Sequence, residues 1–250
     1  MMTEKNPRPL RPLLLSLALL APTLPITGAQ AATVPTPVAQ GGPGRVTQRM
    51  TPATPRRVMP LGDSITDGYN VPGGYRITLL PRLAAAGLPT DLVGSARNGP
   101  SALADRDHEG HSGWRIDEIS ARVDGWLDTA RPDVILLMIG TNDMIQGHHL
   151  GEAPARLGAL LDRIAARRPS ATVIVASLPP MSDPERDARV RAFNAALPEL
   201  VGKRAAQGQK VRLVDAYTRL TPADLADGVH PNGAGYARLA QMWLEALRGL

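Results

Sequence analysis

The chain reads as an α/β protein: a three-layer α/β/α sandwich around a five-stranded parallel sheet in the flavodoxin-like order 2-1-3-4-5. Two patterns lead there. Five short apolar or β-branched runs recur along the sequence, continuous rather than alternating, as suits strands covered by helices on both faces. Between them lie stretches with apolar residues three and four apart, the spacing of a helix with one buried stripe. A (β/α) barrel would need eight such units.

The strands are expected at 57–61 (RVMPL), 90–93, 133–138 (DVILLM), 172–175 (TVIV) and 211–214 (VRLV). Residues 152–168 carry a helical stripe of Leu157, Leu160, Leu161 and Ile164, and a last helix carries Leu239, Met242, Trp243 and Leu247. Both stripes read as core-facing. With 250 residues, 43% of them apolar, the chain has material for one sizeable core.

Two segments precede that body. Residues 1–31 have a basic start (Lys5, Arg8, Arg11), an apolar run over 13–21 and a small-residue end at Ala29-Gln30-Ala31. This is the order of a secretory signal peptide, with cleavage expected after Ala31. The run is well short of the ~20 residues that span a bilayer, so a secreted protein without a membrane span is expected. Residues 32–56, rich in Pro, Thr and Gly without apolar periodicity, read as a flexible linker; 57–250 is the folded domain.

Net charge is +5, yet from Arg57 onward 22 basic residues meet 22 acidic ones. Nucleic-acid binding needs a basic stripe on the folded body, so no nucleic-acid partner is expected. The sequence has no cysteine, which excludes disulfides, iron–sulfur clusters and thiolate zinc sites.

Ligands in open α/β sheets sit beyond the carboxyl ends of the strands, and four polar segments fall there. They are Gly62-Asp63-Ser64-Ile65-Thr66-Asp67-Gly68, His108-Glu109-Gly110-His111-Ser112-Gly113-Trp114, Gly140-Thr141-Asn142-Asp143 and Asp227-Gly228-Val229-His230-Pro231-Asn232. A hydroxyl needs a neutral imidazole to take its proton, and the imidazole needs a carboxylate on its other nitrogen. Ser64 is the expected nucleophile, His230 the base and Asp227 the orienting acid. Donors for a tetrahedral oxyanion are available from the amides of Ser64 and Gly113 and the side chain of Asn142.

These four ordered blocks resemble the SGNH (GDSL-type) hydrolase superfamily over essentially the whole of 57–250. With Gly73-Gly74-Tyr75-Arg76, HEGHSGW and LLMIGTND, the finer resemblance is to carbohydrate esterase family three, the acetylxylan esterase-like branch. The resemblance implies the SGNH hydrolase fold and a serine esterase without metal or organic cofactor. The substrate it favours is an O-acetyl group on a plant polysaccharide such as xylan. A lipolytic esterase or lysophospholipase and a catalytically silent carbohydrate-binding protein are the alternatives.

Several residues carry two readings. Asp63 either contacts substrate or caps the next helix, and Trp114 is either a platform for a sugar ring or a plug beneath its loop. Tyr75, with Tyr69, is expected to line the acyl site; Asp143 reads as a cap, and Trp126 and Trp243 as core. Ser112 is a rival nucleophile, but the residue two places on is Trp114, not the glycine of a G-x-S-x-G elbow. His108, His111, His148 and His149 could suggest a metal, but the last two read as a surface loop, so none is expected.

Overall fold

The computed structural model describes residues 54–250; the predicted leader and residues 32–53 of the predicted linker lie outside the described residues. In chain order the elements are β1 (Arg56–Gly62), the one-turn helix α1 (Ser64–Asp67), α2 (Arg76–Ala85), β2 (Thr90–Leu92), β3 (Ala96–Arg97) and β4 (Asp107–Gly110). Then follow α3 (Ile116–Ser120), α4 (Val123–Ala130), β5 (Val134–Met138), α5 (Thr141–Gln146), α6 (Ala153–Arg167), β6 (Thr172–Ala176), α7 (Pro184–Ala206), β7 (Val211–Val214) and α8 (Gly233–Arg248). Arg56, assigned from the sequence to the linker, is the first residue of β1.

The five predicted strands are β2, β1, β5, β6 and β7, parallel and in the expected order. The sheet departs from expectation on one edge, where it has seven strands instead of five. Beside β1, β2 pairs only with its first half (Arg56–Val58) and β4 with its end (Leu61 and Gly62), so two short strands share one place in the order. The antiparallel β3 covers β4 on the outside. Sequence reading took His108, Glu109 and their neighbours for loop, because Asp107–Gly110 has no apolar run. This strand is held by polar pairing: buried Glu109 accepts from the Ser95 amide and hydroxyl, each at 2.7 Å.

Each central strand sends alternate side chains to opposite layers. Ile135 and Leu137 of β5 join Met59, Leu61, Val173 and Val175 under α3, α4, α6 and α7. Val134, Leu136 and Met138 join Val58 and Ile174 under α2 and α8. Period 2 in a strand apolar throughout thus fills two cores at once. The predicted stripe Leu157, Leu160, Leu161 and Ile164 is at most 1% exposed, and Leu239, Met242, Trp243 and Leu247 at most 3%. Full burial of such side chains contributes roughly 1.5–3 kcal/mol each.

Two glycines allow close backbone approach at the sheet's C-terminal rim, Gly62 to β5 and Gly110 to α1. A Cβ on Gly62 would lie 2.1 Å from the Met138 carbonyl oxygen, and one on Gly110 would lie 2.4 Å from the Asp67 amide nitrogen. Both obstacles are backbone, which cannot rotate away. Gly110→Ala is therefore expected to push α1 off β4 and destabilise the fold by roughly 1–3 kcal/mol. Urea unfolding should show a lowered midpoint with an unchanged slope; an unchanged midpoint would contradict this packing.

Candidate active site

Ser64 is the first residue of α1, immediately beyond β1. Asp63 precedes it as N-cap, its Oδ1 accepting from the Ile65 amide at 3.0 Å. As a helix-starting residue Ser64 has a backbone N–H without a partner inside its helix. From the far end of the chain, His230 reaches the same rim. Its loop is closed by Ala226 N–H donating to His230 O (2.8 Å) and Asn232 N–H to Asp224 O (2.8 Å). Asn232 then caps α8 by accepting from the amides of Ala234 and Gly235, each at 3.0 Å.

His230 Nε2 stands 2.9 Å from Ser64 Oγ, and its Nδ1 stands 2.7 Å from Asp227 Oδ2. A carboxylate can only accept, so Nδ1 carries the hydrogen and Nε2 is left free to accept from the hydroxyl. Asp227 Oδ1 accepts in addition from the amides of Val229 (3.0 Å) and His230 (2.8 Å). Partial burial pushes the Asp227 pKa up, but the hydrogen bonds from the His230 amide and ring and the Val229 amide outweigh it and hold the carboxyl below its usual range. Asp227 is half exposed, so its contact with the ring is partly solvated.

Asn142, 8% exposed in α5, donates from Nδ2 to the Trp114 carbonyl at 2.8 Å, leaving its second amide hydrogen for another acceptor. Gly113 N–H has no acceptor among the described residues. Its φ of +84° is a left-handed conformation that favours glycine, and no atom lies within 4 Å of where its Cβ would stand.

Two of the three predicted substrate contacts, Asp63 and Tyr75, are corrected. Asp63 is fully buried as the cap of α1. Tyr75 is fully buried in the second core against Trp243, ring centres 6.0 Å apart, and burial pushes its phenol up to about 12. Trp114 stacks on His111 (4.3 Å, 21°) with the Arg122 guanidinium 4.5 Å from its ring centre. Its indole is half-buried and packs against the first core, which fits the plug of its two readings. Tyr69 stays at the rim, 65% exposed and 5.1 Å from the His230 ring.

Other readings shift as well. Asp143 does cap a helix, but a remote one: its Oδ2 accepts from Ile116 N–H at the start of α3 (3.1 Å), while Oδ1 pairs with Arg156 (2.8 Å). Trp126, read as core, is half-buried and stacked on His111 at 4.6 Å. His108 is buried, and desolvation with the nearby Arg76 pushes its pKa down to about 3, so it is a neutral ring. His111 pairs with Glu109 at 2.7 Å. Among the described residues no three histidine or carboxylate side chains gather closely enough to hold a metal ion.

Sequence reading missed the residues that fasten the rim together. Asn70 Nδ2 donates to the Pro231 carbonyl at 3.0 Å, tying the segment after Ser64 to the loop of His230. Fully buried Arg76 donates to the Thr66 carbonyl and to Asn98 Oδ1. A lone Arg or Asn carries no periodic signal, and these contacts exist only once distant segments meet.

A serine on a strand-to-helix turn beside an imidazole–carboxylate pair and amide donors is the arrangement of an ester hydrolase of the SGNH type. Residues 61–238 match the GDSL-like Lipase/Acylhydrolase family model, and the chain belongs to this family. Among solved structures it is similar to a Clostridium thermocellum family 3 carbohydrate esterase, with 36% identity, a TM-score of 0.71, and coverage of 78% of this chain and 98% of the other. It is also similar to a carbohydrate esterase family 3 protein from Talaromyces cellulolyticus, with 32% identity, a TM-score of 0.70, and coverage of 78% and 97%. A multidomain esterase of Ruminococcus flavefaciens is 35% identical over 237 residues, 81% of this chain and 31% of that protein. The chain thus spans about a third of that relative's length.

Burial raises Asp63 from 3.8 to about 6 despite the hydrogen bond from the Ile65 amide. The folded chain therefore holds this proton more tightly than the unfolded chain. The cost of ionising it is absent below the unfolded pKa, grows as pH rises from about 4 to about 6, and is complete above. Asp63→Asn, which keeps the capping oxygen, is expected to stabilise by up to about 3 kcal/mol at pH 8 and by almost nothing at pH 3.5. Urea midpoints at the two pH values check this; a gain equal at both would refute the buried ionisation.

Proposed function

We propose that the chain is an exported esterase that removes O-acetyl groups from a plant polysaccharide such as xylan, using Ser64, His230 and Asp227. The observation that carries the chemistry is the unbroken relay Ser64 Oγ to His230 Nε2 (2.9 Å) and His230 Nδ1 to Asp227 Oδ2 (2.7 Å). Ser64 Oγ attacks the ester carbonyl carbon as its proton passes to His230 Nε2. The oxyanion is met by the amides of Ser64 and Gly113 and by Asn142 Nδ2. His230 then gives the proton to the departing sugar hydroxyl. In the second half His230 takes a proton from water, the hydroxide attacks the acyl carbon, and acetate leaves as the proton returns to Ser64.

Three observations support a short acyl group on a bulky alcohol. Ser112, Gly113 and Asp227 are exposed around Ser64, so the rim is open to a polymer. Tyr69 presents an exposed aromatic face beside His230, a surface on which a sugar ring packs well. A large apolar groove of about 590 Å³ is lined by Leu80, Leu83 and Leu103 together with Pro55 and Thr90. It opens where β1 and β2 begin, the edge opposite Ser64, and gives no place there for a long acyl tail. The family 3 carbohydrate esterases it resembles support the same substrate class. Export rests on the order of charge, apolar run and Ala29-Gln30-Ala31 in the leader.

Ser64→Ala is expected to abolish turnover with the fold intact. Asp227→Asn should cost roughly 10⁴-fold in kcat, because the wrong tautomer then faces the hydroxyl. Nitrophenyl acetate hydrolysis measures both, and full activity of Ser64→Ala would refute the mechanism. Since the proposed chemistry runs through the serine, the imidazole and amide donors, activity should be unmoved by chelators. On substrates, acetate release from acetylated xylan should exceed hydrolysis of long-chain esters. Preference for the long chain would point to a lipolytic enzyme, and binding of xylan without any ester hydrolysis to a silent binding protein. Tyr69→Ala should raise KM for acetylated xylan several-fold and leave nitrophenyl acetate nearly unchanged.

A further inference from the structure

We infer that Ser112 and Asp67 form a positioning pair that aims the Gly113 N–H at the oxyanion. The inference rests on the proposed roles of Ser64 and Gly113.

Ser112 Oγ donates to Asp67 Oδ2 at 2.6 Å, across 45 residues of sequence. Asp67 is the last residue of α1, the helix that Ser64 begins. It is anchored on its own side, for Asn98 Nδ2 donates both to Asp67 Oδ1 and to the Asp67 carbonyl, the latter at 2.9 Å. The carboxylate is thus a fixed post standing one helical turn from the nucleophile, and the Ser112 hydroxyl is tied to it.

That tie matters because of the turn it sits in. Trp114 N–H donates to the His111 carbonyl at 3.2 Å, which makes residues 111–114 a β-turn with Ser112 and Gly113 as its central pair. A φ of +84° at Gly113 gives the type II form, which differs from the commoner type I by a flip of the central peptide. That peptide joins Ser112 to Gly113, and its N–H is the proposed oxyanion donor. The turn's two ends are secured elsewhere: His111 N–H donates to the Gly62 carbonyl at 2.9 Å, and the Trp114 carbonyl accepts from Asn142 at 2.8 Å. Between these anchors both central residues are exposed, and no atom lies within 4 Å of where a Gly113 Cβ would stand. The Ser112 hydroxyl is therefore the side-chain contact that sets which way the central peptide faces. It relates the turn to the same short helix that supplies the second donor and the nucleophile.

The test is a set of Ser112 variants in the full chain. Because Ser112 is exposed, Ser112→Ala should fold with an unchanged melting midpoint. Its kcat on nitrophenyl acetate is expected to fall about 10- to 100-fold, less than the ~10²–10³ of removing an oxyanion donor outright, with KM within about twofold. A boronic acid that forms a tetrahedral adduct on the serine should lose affinity by a similar factor, and Ser112→Thr, which keeps the hydroxyl, should restore both. The proposal is overturned if Ser112→Ala retains kcat within twofold, if its loss lies in KM alone, or if the threonine variant fails to restore kcat. Ser64→Ala run alongside separates the two levels. If that variant remains active, the proposed nucleophile is wrong, whereas an inactive Ser64→Ala beside a fully active Ser112→Ala removes only the positioning role.

Discussion

A hydroxyl at neutral pH yields its proton only to a base within hydrogen-bond reach, and here that contact is 2.9 Å between side chains 166 residues apart. Nothing local can hold two such distant groups together. The parallel sheet does so because every parallel strand ends on the same rim, so the turn after β1, the α5 segment after β5 and the loop before α8 are delivered side by side. The apolar strands that look like mere filling set this geometry. Two continuous cores, one on each face, lock β1 and β5 in register through five residue pairs. A slip of one residue would turn every strand side chain to the wrong layer, and it would carry Ser64 away from His230.

Around that contact the molecule places an unusual amount of buried polarity. Asp63, Arg76, His108, Glu109 and Asp143 are all at most 1% exposed, near the C-terminal rim. Burying such groups is costly unless they are paired. Three of them pair across segments, Asp143 with the start of α3 and Arg156, Arg76 with Thr66 and Asn98, and Glu109 with Ser95, while Asp63 and His108 bond locally to the amides of Ile65 and Gly110. Directional bonds fix loop positions more sharply than apolar contact, which tolerates sliding. The helix that Ser64 begins is only four residues long and could not hold its place by its own helical bonds.

Much of this was legible in the residues. Both buried stripes and all five principal strands follow from apolar periodicity, because period and burial are local properties of a covered strand or helix. Ser64, His230, Asp227, Gly113 and Asn142 stood out as chemically apt residues in short polar blocks after strands. The misreadings have a common origin. Asp63 sits beside Ser64 and Tyr75 eleven residues beyond it, yet nearness in sequence does not set which way a side chain points, so Ser64 faces the rim while Asp63 and Tyr75 are buried in the core. Likewise β4 was invisible, since a strand held by polar pairing has no apolar run to announce it.

The sequence by itself determined the alternation of strands and helices, the three-layer architecture and the chemical types available at the rim, because these depend on hydrophobic pattern and on local turn and cap chemistry. Only the tertiary structure decided the rest. It set the relay from Ser64 through His230 to Asp227, the burial of Asp63 and Tyr75, the joining of Asn70 to Pro231, and the contact of Ser112 with Asp67. Those are through-space relations among segments tens to more than a hundred residues apart. Their distances depend on how the sheet twists and how closely glycines such as Gly62 and Gly110 let one backbone approach another, quantities that no local pattern encodes.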